Sequence, residues 1–169
     1  MLRFIFACLA GLTPSLVPQP LPMSSAAFEV PAKPEQAVRV ATFNVSLNRR
    51  NQGDLLAEIQ TQPSAQMLAV VEIIQRVRPD VLLLNEFDYD PQALELFRTQ
   101  VLTQSQQGAH GLTYPYSYSA PSNTGEPSGL DLDGNGEIEG IRNDAFGFGF
   151  FPGQYGMAVL SQFPIDQAR

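Results

Sequence analysis

VLLLNEFDYD, residues 81–90, decides the fold. Four apolar residues without polar alternation are the pattern of a strand covered on both faces, as a central strand would be. That run stops at Asn85 and Glu86, with Asp88 and Asp90 close behind, so a buried strand delivers a carboxylate to the rim of its sheet. Such a carboxylate can hold a hard cation, act as a general base, or simply be a surface acid after a core strand.

Upstream, residues 38–44 read VRVATFN. They alternate and are β-branched, which predicts a half-buried strand ending in Asn44. An amide cannot serve as acid or base, but it can hold a ligand or hydrogen-bond a carboxylate. If the two strands are neighbours, Asn44 and Glu86 meet at one edge. Between them, residues 54–60 predict a short helix. Met67, Val70, Val71, Ile74 and Val77 then fall on one face of a longer helix over 64–78, ended by Pro79. The order is strand, helix, strand. Pro91 opens another helix through about residue 104, with Leu94, Phe97, Val101 and Leu102 inward.

Residues 108–156 change character and are rich in Gly, Pro, Ser, Tyr and Asn. A connection this long inside a compact domain is more often functional than filler. Tyr114, Tyr116 and Tyr118 alternate, as in a strand with one aromatic face. Further on, Asp131, Asp133, Asn135 and Gly136 match positions 1, 3, 5 and 6 of a calcium loop, with Glu137 at 7 and Glu139 at 9. Position 12 is Arg142, so the usual bidentate acid is missing, and Asp144 is the residue that could replace it. Calcium binding and a solvated Asp/Gly turn both fit this stretch.

The chain has 169 residues, room for one domain, and a formal net charge of −7. Such a surface does not bind polyanions by bulk electrostatics, so no stable nucleic-acid complex is expected and phosphate chemistry would depend on a local cation. Arg49 and Arg50, just past Asn44, are weak candidates for phosphate contact against a solvated loop. Arg3, an apolar stretch and the small residues before Phe28 are ordered like a secretory signal over 1–27, followed by a leader over 28–37. Pro14, Pro18, Pro20 and Pro22 interrupt the roughly 20 apolar residues a membrane span needs. An exported protein, periplasmic or extracellular, without a transmembrane segment in its mature form is expected. Cys8, the one cysteine, would leave with the signal. The single histidine, His110, sits in a Gly-flanked loop and reads as exposed. No motif for a serine nucleophile, a paired-histidine metal site or a phosphate-cradling loop occurs.

Together, Phe43-Asn44-Val45, the stretch IIQRVRPD at 73–80, and LLLNEFD at 82–88 resemble the endonuclease/exonuclease/phosphatase superfamily. The stretches at 120–136 and 148–165 resemble an exported bacterial branch of it. The resemblance implies an α/β fold, the N-terminal portion of a four-layer α/β/β/α sandwich over residues 38–169. It also implies a metal-dependent hydrolase of phosphoester bonds, with Glu86 binding Mg2+ or Mn2+ and Asn44 beside it. The Asp and His that activate the nucleophile in that superfamily are expected C-terminal to residue 169, so this chain is expected to be an inactive fragment of a longer enzyme. The alternative is an extracellular binding or scaffold module stabilised by Ca2+ at Asp131, Asp133, Asn135, Glu137 and Glu139, without catalysis.

Overall fold

The computed structural model describes residues 30–166. The expected export signal therefore lies outside the described residues. Among them, no helix is long and apolar enough to cross a membrane.

Strand β1, Val40–Leu47, leads through helices α1, Asp54–Thr61, and α2, Ala65–Val77, into strand β2, Val81–Phe87. Each boundary has a local cause. The Ser64 hydroxyl accepts from the Met67 amide to cap α2, and Arg78 closes it in the left-handed region just before Pro79. Helix α3, Pro91–Leu96, starts at Asp90, whose carboxylate accepts from the Gln92 and Ala93 amides, with Pro91 in the first turn. It runs on as a π-helical turn, Phe97–Val101. Strands β3, Tyr116–Ser119, and β4, Met157–Ser161, complete a four-stranded sheet in the order β1-β2-β4-β3. β1 and β2 are parallel neighbours, and β4 is antiparallel to both β2 and β3.

The helices cover one face of this sheet. Met67, Val71 and Ile74 of α2, Leu55 of α1 and Phe97 pack with Leu82, Leu84, Ala158 and Leu160 in one buried cluster. Tyr114 joins it just before β3, its hydroxyl donating to the Pro79 carbonyl oxygen at 2.7 Å. The other face does not match the expectation for β2. Val81 and Leu83 are only half-buried, and beside them Val40 is 71% and Met157 53% exposed. Tyr116 and Tyr118 project on this open face as well, so the tyrosines divide: one in the core, two outside it. Apolar composition marks β2 as central, which it is, but composition does not report whether a second layer lies against it.

The long connection between β3 and β4 is folded back on itself. Thr124 pairs with Gly147 and Pro127 with Ala145. Gly125 is required at this crossing: its φ is +69°, and a Cβ there would lie 1.9 Å from the Phe151 carbonyl oxygen. The end of this connection is stitched to the end of β2. The Phe87 amide donates to Gly156 O at 3.1 Å and the Tyr89 amide to Gly153 O at 2.8 Å.

Candidate metal and phosphate site

Asn44 and Asn85 are register partners on β1 and β2, so both strands bring their ends to the same rim. Regular alternation after Leu82 and Leu84 would turn Glu86 under the helices. The backbone prevents this, because Glu86 adopts φ 56° and the following Phe87 becomes the buried residue. On β1, a bulge between Asn44 and Leu47 and φ 48° at Ser46 make the matching adjustment. A left-handed conformation disfavours a residue with a Cβ by roughly 1–2 kcal/mol, and such strain gathers at functional sites.

Both carboxylate oxygens of Glu86 are held. Asn44 Nδ2 donates to Oε1 at 2.7 Å, and Asn48 Nδ2 donates to Oε2 at 3.0 Å. Asn44 Oδ1 accepts from the Ser46 amide at 3.1 Å. The expected pairing of Asn44 and Glu86 is therefore present: the Asn44 amide group holds the carboxylate, while its oxygen accepts one bond from the bulged backbone. Asn48 has the same function and lay in a polar turn that carried no pattern to single it out.

Asp88 is buried behind this pair and ties three segments together. It accepts from the Arg49 amide at 2.7 Å and from the Tyr155 amide at 3.2 Å. Burial pushes its carboxyl up to about 6, against the opposing pull of those two amides and the Arg49 charge.

Arg49 is held within the fold. Its guanidinium pairs with Glu58 at 2.5 Å and also donates to the carbonyl oxygens of Ser46 and Asn48 and to Gln66 Oε1. Burial tends to raise the Glu58 carboxyl, but the hydrogen bonds from Arg49 and Ser64 outweigh it and hold the carboxyl below the ordinary range. Arg50, by contrast, is exposed. It faces a cleft of about 680 Å³ shared with Asn48, Arg142, Phe150 and Tyr155. A wider cleft, about 1070 Å³, opens at the other end of the sheet between the leader and Arg76, Arg78 and Asp80. His110 belongs to that other end, where its carbonyl oxygen accepts from Arg78 at 3.4 Å.

The Asp/Gly stretch forms a compact loop. Asp131, Asp133 and Asp144 bring carboxylate oxygens within 4.8 Å of one another. Asp144 is buried and accepts from the Leu132 and Glu139 amides, which hold its carboxyl below the usual carboxylate range, the Glu139 amide foremost. Other expected ligands make contacts within the loop. Asn135 Oδ1 accepts from the Glu137 amide, and the Glu139 carboxylate turns to Arg142 at 3.7 Å.

The family model described as Endonuclease/Exonuclease/phosphatase family matches residues 41–169. The chain belongs to that family. No curated protein and no solved structure matches it significantly. The family comprises phosphoester hydrolases and nucleases that typically depend on a divalent metal, and the α/β fold with its mixed sheet agrees with it. The match begins inside β1 and includes Asn44, Asn48, Glu86 and Asp88.

Proposed function

We propose that this protein is a metal-dependent phosphoester hydrolase whose Glu86 holds Mg2+ or Mn2+. The observation that carries this reading is the carboxylate at the C-terminal ends of two parallel strands, fixed through both oxygens by Asn44 and Asn48. Its donor set suits a hard divalent cation, which takes oxygen ligands and keeps several waters. A carboxylate oriented beforehand loses little freedom when a cation binds, and each oxygen retains a free lone pair after accepting one amide bond. The metal, when bound, neutralises phosphoryl charge and polarises the phosphorus centre for attack by water. The chain's own residues orient Glu86 and anchor the neighbouring loops through Asp88.

The test uses protein expressed from its full reading frame, with bis-p-nitrophenyl phosphate as substrate and Mg2+ or Mn2+ supplied. Glu86→Gln is expected to lower turnover by about a hundredfold or more and to weaken Mn2+ binding measured by titration calorimetry. Unchanged turnover and Mn2+ binding in Glu86→Gln would overturn the proposal.

The cluster of Asp131, Asp133 and Asp144 supports a second, compatible role: a structural Ca2+ site that stabilises the long connection. Added Ca2+ is then expected to raise the melting temperature of wild type but not of Asp131→Ala. If neither protein responds, the stretch is a solvated turn.

A further inference from the structure

The connection between β3 and β4 wears its apolar side outward. In Ala145-Phe146-Gly147-Phe148-Gly149 the glycines press against the backbone of residues 123–125. A Cβ at Gly147 would lie 3.2 Å from the Asn123 carbonyl oxygen, and one at Gly149 would lie 2.7 Å from the Gly125 nitrogen. Alternation then sends Phe146 and Phe148 to solvent. Phe148 is propped edge-on against Phe150 at 5.6 Å, and the Phe150 ring is itself covered by the Arg142 guanidinium. A second apolar group hangs on the same hydrogen-bonded unit. Asp144, two residues before Phe146, accepts from the Leu132 and Glu139 amides, and so draws together the segments that carry Leu130, Leu132 and Ile138. All five side chains, Leu130, Leu132, Ile138, Phe146 and Phe148, are half or more exposed.

Exposed apolar side chains gathered on one segment mark a surface that meets a partner, and their chemistry selects which. Protein interfaces concentrate Tyr, Trp, Met and Arg at their centres, whereas residues 128–150 contain no Tyr, Trp or Met and a single arginine. Five half-exposed side chains also offer only on the order of 500 Å², short of the roughly 800 Å² that each side of a stable protein pair buries. Side chains of pure hydrocarbon, without a polar tip, suit acyl chains, which ask for no hydrogen bonds and no shaped counterpart. Charge narrows the partner further. The same residues carry five carboxylates, so an anionic surface repels them, while a zwitterionic headgroup layer presents its ammonium groups outermost.

We infer that Leu130, Leu132, Ile138, Phe146 and Phe148 form a docking surface for a zwitterionic lipid layer. The crossing at Gly125 and the amides gathered by Asp144 hold the segment in shape, so little freedom is lost when it docks. This surface concerns where the protein sits and is independent of what Glu86 acts on.

The test floats the whole chain with phosphatidylcholine vesicles in buffer containing a chelator. Wild type is expected to rise with the vesicles, and replacing half of the lipid with phosphatidylglycerol should weaken its binding. Phe146→Ser combined with Phe148→Ser should lower partitioning by about tenfold without changing the melting temperature, since both side chains face solvent. An anchor elsewhere in the chain would leave that variant bound and would overturn the inference. The chain has no tryptophan, so Phe146→Trp supplies a single indole as reporter. Its emission should shift to the blue on adding vesicles and be quenched when the acyl chains are brominated. Unchanged emission, absence of flotation, or tighter binding to the anionic vesicles overturns the assignment. So does a concentration-dependent dimer, seen by sedimentation velocity and lost in the double serine variant, which would give this face to a second copy of the chain.

Discussion

Asp88 accepts two backbone amides yet has its carboxyl pushed up to about 6, because burial outweighs them. The folded protein therefore holds this proton more tightly than the unfolded chain. Stabilisation from that proton is fully present below the ordinary value of 3.8 and is lost as pH rises through about 6. The difference corresponds to roughly 3 kcal/mol. Wild type is expected to gain resistance to urea between pH 7 and pH 5, and Asp88→Asn to lack most of that gain. Equal pH dependence in the two proteins would count against a buried, reluctant carboxylate. Glu86 invites a different comparison. Glycine adopts its left-handed backbone without strain, so Glu86→Gly should be more stable than Glu86→Ala by about 1 kcal/mol in urea melts, while both lose Mn2+ binding. If the alanine variant is the more stable, φ at this position is not under strain.

At the scale of elements, polar side chains inside the fold join pieces that apolar pattern alone leaves separate. Gln75 of α2 is buried and donates to the Leu102 and Gln104 carbonyl oxygens, while its own oxygen accepts from the Gln106 amide. These bonds satisfy the end of the turn that follows α3. Gln75→Leu leaves them unmade and is expected to cost about 2–3 kcal/mol in urea denaturation, despite adding apolar bulk. Arg49 braces the loop after β1 against α1 through Glu58, with both side chains largely buried at 17% and 16% exposure. Arg49→Met should cost about 3 kcal/mol, and adding Glu58→Leu should restore part of it by removing the carboxylate left alone. An additive double variant would indicate that the carbonyl contacts of Arg49, not its ion pair, bear the effect.

Across the whole molecule, the sheet has two unlike faces and two unlike ends. One face is filled by α1, α2, α3 and Phe97, and the other presents Val40, Met157, Tyr116 and Tyr118. At one end Asp80 accepts from the Arg39 amide and from Lys33, contacts that hold its carboxyl below the ordinary range. At the other end the carboxylate of Asp88 is held above it. Groups such as Asp80 and Glu58 contribute stability that is present above their unfolded values and lost as pH falls through their lower folded ones. Stability is therefore expected to peak between about pH 4 and pH 5, falling on the acid side as these paired carboxylates protonate and on the neutral side as Asp88 ionises. A denaturation series from pH 3 to pH 8 checks this, and a maximum at pH 7 or above would contradict it.

Hydrophobic period and caps were enough to place β1, α2, β2 and α3, because each buries one face and each end carries its own stop signal: Ser64, Pro79, Asp90 or Pro91. They also placed Glu86 near the end of β2, whereas Asn44, expected to end its strand, lies inside β1, which continues through a bulge to Leu47. Three things depended on the packed chain. The turn of Glu86 out of the core comes from a φ that composition does not encode. The withdrawal of Arg49 into an ion pair depends on where α1 lands. The bonds of Gln154 to Arg49 and of Tyr155 to Asp88 join residues 105 and 67 positions apart, through a connection that lacks a repeating apolar pattern. Periodicity records which side of an element is apolar. Only the closed tertiary structure decides which polar groups are left facing one another once those apolar sides are buried.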